Sequence, residues 1–194
     1  MEPNLKKEIL LLYEQFKNED NTKENRLDKW RNLEPQSAEL ISIIIRCQQS
    51  KNVLELGTSN GFSTIWFADA LKSTNGKLTT VEIERNRTEL AKKNLADFKL
   101  TDFVELITAD AKDYLEKSHP IFDLVFLDSE RKYYTEYWLD LRKLLNKKGS
   151  LLVVDNILSH KKEVSEFIAL IENDLSLTIS ILDIGAGLLF VTKE

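Results

Sequence analysis

The sequence predicts an α/β fold: a mostly parallel, seven-stranded sheet with helices on both faces, an antiparallel last strand and an N-terminal helical cap. Three observations carry that expectation. Short apolar runs alternate with helix-patterned stretches from residue 52 to about 171, as strands joined by helical crossovers do. The runs end on, or lead into, carboxylates: Glu82, Asp110, Asp128 and Asp155. The last two runs, 177–182 and 187–192, are joined only by a short stretch containing Gly185-Ala186-Gly187, which leaves no room for a helix and turns the last strand back on its neighbour.

Taken in order, Leu5, Ile9, Leu12, Tyr13 and Phe16 recur at helical spacing and give an amphipathic first helix. Residues 18–29 are polar and read as a loop or a short exposed helix. Pro35 opens a second helix to about residue 48, with Leu40, Ile43, Ile44 and Cys47 expected to face inward. Val53, Leu54 and Leu56 make the first strand; Gly57 and Gly61 bracket a turn, and residues 63–71 form a helix. Strands follow over 77–83, 103–108, 122–127 and 150–154. Helices lie between them over 86–98, from Asp110-Ala111 to 116, over 133–145 and over 161–171. His119, beside Pro120, reads as a structural loop residue. The 194 residues suit one domain, with 1–49 as the cap and 50–194 as the core. The cap helices either cover a ligand or simply pack on a sheet edge.

Composition narrows the partners. Hydrophobic residues at 42% and charged residues at 30% are ordinary for a globular chain. Cys47 is the only cysteine, so an intramolecular disulfide is excluded, and a reducing, cytoplasmic setting is expected. No apolar run approaches about 18 residues, and the opening Met1-Glu-Pro-Asn-Leu lacks the apolar stretch of a secretion leader. A net charge of −5 argues against broad nucleic-acid binding and favours a small-molecule partner.

Function is read from the turn and the strand ends. Val53-Leu-Glu-Leu-Gly57-Thr-Ser-Asn-Gly61-Phe-Ser63 runs from strand through glycine turn to helix. The missing side chains admit a ligand to the backbone, and free helix N–H groups meet its polar edge. The spacing is Gly-x-x-x-Gly, unlike the Gly-x-Gly-x-x-Gly of dinucleotide binders. Glu55, inside the apolar strand, would repel a pyrophosphate but suits the amino group or sulfonium charge of S-adenosylmethionine. An ordinary strand-to-helix turn accounts for the glycines equally well. Ligands of open parallel sheets bind beyond the carboxyl ends of the strands. There Glu82 stands near the spacing of a ribose-binding acid, about 20 residues past the turn, and Asp110 could accept from an adenine amino group. Asp128, Asp155 and Asn156 offer three oxygen ligands for a hard divalent ion such as Mg²⁺, or merely cap helices.

With these residues in view, the chain resembles the class I S-adenosylmethionine-dependent methyltransferases, which have a Rossmann-like sheet, and within them the O-methyltransferases of the catechol and caffeoyl-CoA type. The matching stretches are residues 53–63, Thr80-Val-Glu-Ile83, Phe122-Asp-Leu-Val-Phe-Leu-Asp128, Leu152-Val-Val-Asp-Asn156 and Gly185-Ala-Gly-Leu188. The resemblance implies Glu55, Gly57 and Ser63 around the methionine part of the cofactor, Glu82 with Ile83 at the ribose, and Asp110-Ala111 near the adenine. It implies Asp128, Asp155 and Asn156 as metal ligands, a small hydroxylated acceptor and a homodimer. One departure stands out. The family's general-base lysine, three residues past the first metal aspartate, is replaced here by Arg131, with Lys132 following. Arginine stays protonated and is a poor base.

The base is then Lys132 from a shifted loop, or His160, which titrates near neutral pH; a surface role for His160 is equally open. Arg131 could instead clamp an anionic group. Tyr133, Tyr134, Tyr137 and Trp138 either wall an aromatic acceptor pocket or pack in the core. A metal-independent methyltransferase, in which Asp128 serves the cofactor or substrate directly, and a non-catalytic S-adenosylmethionine-binding module remain alternative readings. A nicotinamide enzyme fits the turn poorly.

Overall fold

The computed structural model describes residues 1–117 and 121–193; His119 and its loop reading lie outside them. Among the described residues the elements run α1 (Pro3–Thr22), α2 (Pro35–Cys47), β1 (Asn52–Leu56), α3 (Phe62–Thr74), β2 (Lys77–Glu82), α4 (Arg85–Asp97), β3 (Val104–Thr108), α5 (Ala111–Lys117), β4 (Leu124–Leu127), α6 (Tyr134–Leu144), β5 (Leu151–Val154), α7 (Lys161–Glu172), β6 (Leu177–Leu182) and β7 (Leu188–Lys193). The seven strands stand in the order β3-β2-β1-β4-β5-β7-β6. Neighbours from β3 to β5 pair in parallel, and β7 is antiparallel to both β5 and β6. This is the predicted Rossmann-like sheet. The order reverses at β1, which has β2 on one side and β4 on the other. That switch point opens a crevice beyond the strand ends.

Two apolar clusters sandwich the sheet. One joins α1, α2 and α3 to the strands through Ile9, Ile41, Ile45, Ile65, Phe67 and Phe126. The other packs α6 and α7 on the opposite face through Tyr134, Trp138, Leu141, Val164, Phe167 and Ile171. β1 and β4 are buried on both faces, which explains why they read as near-continuous apolar runs.

The second helix is rotated relative to the sequence expectation. Its buried face is Ser37, Ala38, Ile41, Ser42 and Ile45. Leu40 and Ile44 are only partly buried, Ile43 is 50% exposed, and Cys47 is exposed. The small residues decide this. Ala38 and Ser42 let α2 lie close on α3, where Ser42 Oγ donates to the Trp66 carbonyl at 3.1 Å. A count of apolar residues alone puts the stripe on the wrong phase. The first helix also runs on to Thr22, through the start of the stretch read as a loop or a short exposed helix. Asp20 near its end accepts from the backbone N–H groups of Trp30 and Arg31, at 2.7 and 2.9 Å, and so folds the following segment back over the strand ends.

Candidate active site

Beyond the strand ends lies a cleft of about 890 Å³. Its floor is the β1–α3 turn. Gly57 has φ +105°, and its N–H donates to the Val81 carbonyl at 2.9 Å. A Cβ on Gly57 would stand 2.3 Å from the Asp128 carbonyl oxygen, so only glycine lets β1 and β4 close at this point. Ser59, with φ 51°, gives its N–H to Glu82 Oε2 at 2.8 Å, and Glu84 gives its own to Glu82 Oε1 at 2.9 Å. Glu82 is thus aimed by two backbone donors and keeps lone pairs for a ligand.

Most of the expected residues meet here. Gly57, Ser63, Glu82, Ile83, Asp110, Ala111, Asp128, Arg131, Asp155, Asn156 and His160 all line the cleft. Ile83 is 60% exposed, an apolar surface beside Glu82. Asp110 has one oxygen held by the Lys112 N–H at 2.7 Å.

Glu55 does not line the cleft; it lies beneath the wall and is fully buried. Its carboxylate accepts from Ser63 Oγ at 2.5 Å, Thr64 Oγ1 at 2.6 Å and Thr80 Oγ1 at 2.7 Å. Burial outweighs these three donors and pushes its pKa up to about 7. The expectation of direct contact with the ligand is corrected: Glu55 ties the first turn of α3 to β2 and sets Ser63 in the wall. Lys132 is also absent from the cleft. It is exposed, with Nζ 4.6 Å from the Tyr133 ring centroid. The three-residue helical turn Arg131–Tyr133 directs Arg131 inward and Lys132 outward, so Lys132 is not placed to serve as base. Of the four aromatics, Tyr133 and Tyr137 line the cleft, while Tyr134 and Trp138 pack against Phe167.

At one end, Asp128, Asp155 and Asn156 converge. Asn156, at φ 66°, donates from Nδ2 to Asp128 Oδ1 at 3.1 Å and to Asp155 Oδ2 at 2.9 Å. Asp155 Oδ1 is buried and unpartnered among the described residues. Burial and the neighbouring Asp155 push Asp128 well above the ordinary carboxylate range; burial raises Asp155 to about 6. Two desolvated acids with an orphaned oxygen and an amide between them form a donor set that suits a hard cation. Among the described residues no group of three His, Cys, Asp or Glu forms a metal cluster, so Asn156 would have to complete the set.

His160 follows at the start of α7. Its Nδ1 lies 2.8 Å from Ser159 Oγ, and Ser159 Oγ donates onward to the Asn156 carbonyl at 3.4 Å. With the hydroxyl proton directed to Asn156, Nδ1 carries the ring proton and Nε2 is left as the acceptor; the other tautomer fits the same Ser159 contact. Burial and the Arg131 charge lower its pKa.

The roof was missed from sequence. Residues 26–34 line the cleft: Trp30 packs 5.6 Å from the Phe16 ring, its carbonyl accepts from Ser59 Oγ at 3.0 Å, and Arg87 grips the Leu27 and Lys29 carbonyls at 2.7 and 3.0 Å. The available signal was Leu27, Trp30 and Leu33 at three-residue spacing in a charged stretch. No helix among the described residues is long and apolar enough to cross a membrane.

Known proteins share the family and the fold. The catechol O-methyltransferase of Niastella koreensis is 36% identical over 136 residues, covering 68% of this chain and 61% of that protein. That of Mycobacterium tuberculosis is 32% identical over 124 residues, covering 63% and 56%. The chain thus aligns with less than two thirds of the length of these relatives. Among solved structures, the O-methyltransferase TomG from Streptomyces achromogenes, in complex with SAM, superposes with a TM-score of 0.79 at 24% identity, covering 100% of this chain and 91% of that one. The O-methyltransferase from Bacillus cereus in complex with SAH gives 0.79 at 22%, covering 100% and 92%; both share the fold. The family model described as O-methyltransferase matches residues 12–194, and the chain belongs to that family.

Proposed function

We propose that this protein is an S-adenosylmethionine-dependent O-methyltransferase acting on a small hydroxylated, aromatic acceptor with the help of a divalent cation. The observation that carries the reading is one cleft with nucleoside-suited groups (Glu82, Ile83, Asp110) at one end and the Asp128–Asp155–Asn156 set at the other. The relatives named catechol O-methyltransferase and the SAM-bound TomG support it.

The chain's own residues divide the work. Glu82, held by two N–H donors, accepts from ribose hydroxyls; Ile83 and Ala111 give the adenine an apolar seat, and Asp110 takes its amino group. Ser63, fixed by Glu55, orients the methionine part. S-adenosylmethionine, when bound, supplies the electrophilic methyl group. Asp128, Asp155 and Asn156 would hold the cation, whose charge, when it is bound, makes an acceptor hydroxyl more acidic. His160 Nε2 takes the hydroxyl proton, and the acceptor oxygen then displaces the thioether in line. Tyr133 and Tyr137 flank the ring. Holding oxygen and methyl near contact supplies roughly 7–11 kcal/mol of the barrier.

The test is turnover of a catechol with radiolabelled S-adenosylmethionine, first in EDTA and then with Mg²⁺ restored. Metal-restored transfer is expected. Equal rates in both conditions would remove the cation; no heat on titrating the nucleoside would remove the enzyme.

A further inference from the structure

We infer that the acceptor carries a carboxylate, and that Arg131, with Arg26 and Arg31, selects it; the inference rests on the methyltransferase reading of the same cleft. Arg131 lies at the Asp128 end and is only 6% exposed. Its Nε donates to Glu163 Oε2 at 2.9 Å. Among the described residues, no hydrogen bond within the chain engages its Nη groups. A guanidinium held from behind, with two coplanar donors facing a cleft, suits a two-oxygen planar anion. Glu163 is 53% exposed, so water weakens its compensation of the buried charge.

Arg26 and Arg31 arrive from the roof. Each gives Nη2 to a different oxygen of Glu130, both at 2.7 Å, which fixes the roof against the residue preceding Arg131. Arg26, Arg31 and Arg131 all line the same cleft, together with Asp128, Asp155 and His160. Arg31, at φ 53°, also has a buried Nε without a partner among the described residues, a donor left over for a ligand.

Charge balance for Asp128 and Asp155 is the competing role for Arg131, and binding separates the two. Calorimetry on the full chain with S-adenosylhomocysteine and Mg²⁺ would compare 3,4-dihydroxybenzoate with catechol, which differ by the carboxylate. The benzoate should bind at least about 10-fold more tightly. R131Q should remove most of that preference, R131K should keep part of it, and R26Q, at a side chain 50% exposed, should reduce it about 3-fold and covers the case in which R131Q does not fold. Equal affinities in the parent protein would overturn the inference, as would R131Q weakening both ligands alike or weakening the nucleoside instead. Because binding is measured without turnover, a carboxylate preference in a protein that transfers no methyl would leave Arg131 as a carboxylate-binding residue and remove only the methyl-acceptor reading.

Discussion

Replacing Gly57 with alanine tests whether the floor of the cleft is set by contact between β1 and β4. At φ +105° any side chain costs about 1–2 kcal/mol of left-handed strain. The new Cβ also meets the Asp128 carbonyl oxygen at 2.3 Å and its carbon at 2.8 Å. Both are backbone atoms and cannot swing aside. Overpacking of this kind adds about 1–3 kcal/mol, for a total near 2–5 kcal/mol. At about 2–4 °C per kcal/mol for a chain of this size, the melting temperature should fall by roughly 4–20 °C. Gly149 is the matched control, since its φ is +85° and a Cβ there meets nothing within 4 Å; G149A bears the strain without the collision. Relief of the collision must move Asp128 by about 1 Å, the gap between 2.3 Å and ordinary contact at 3.4 Å. A displacement of that size costs about 10²-fold in rate. Scanning calorimetry and methyl transfer on both variants read the two effects. If G57A melts with G149A and turns over like the parent protein, the reasoning fails.

Further outcomes follow from the buried acids and the two candidate bases. Glu55 has a folded pKa near 7, above its ordinary 4.5, so the native state holds the extra proton between those values. Stability therefore falls as pH rises across that window, and chemical denaturation should show E55Q losing less over it, by at most about 3 kcal/mol; parallel pH profiles would contradict this. D155N removes one of two crowded carboxylates, so the metal-free protein at pH 8 should gain about 1–3 kcal/mol while losing any rise in melting temperature on adding Mg²⁺. A retained Mg²⁺ response would take Asp155 out of the ligand set. H160Q should lower turnover by about 10²-fold or more, whereas K132A should stay within about 2-fold, because Lys132 faces away from the cleft. The reverse ranking would reinstate the lysine.

The sheet was legible because β1, β4 and β5 carry their own burial in near-continuous apolar composition, and β4 and β5 lead directly into acids. That Asp128, Asp155 and Asn156 share one rim was legible for the same reason, as strand-end positions are fixed by the strands; a ligand role over helix capping came only from the family resemblance. What escaped was set by packing between distant segments. The phase of α2 depends on Ala38 and Ser42 fitting Trp66, which no periodicity shows. The roof depends on Asp20 capturing the N–H groups of Trp30 and Arg31 and on Arg87 reaching two carbonyls about 60 positions earlier. The inward turn of Arg131 and outward turn of Lys132 depend on three residues of tight helix.

Glu55 shows how a buried acid singled out from sequence can be engaged by its own chain. An acid inside a buried strand is costly, so a purpose is implied, and a ligand charge is the direct one. Here the purpose is mechanical. One carboxylate can accept from several donors at once, and this one gathers Ser63 and Thr64 from α3 and Thr80 from β2, with Thr58 Oγ1 2.6 Å behind Thr80. No neutral side chain of that length offers as many acceptor positions. The knot fixes the turn between two elements whose free ends form the cleft floor, which lets the acid shape the proposed cofactor site without lining it. Its elevated pKa is the cost of that geometry, because the hydroxyls that orient it do not fully replace water.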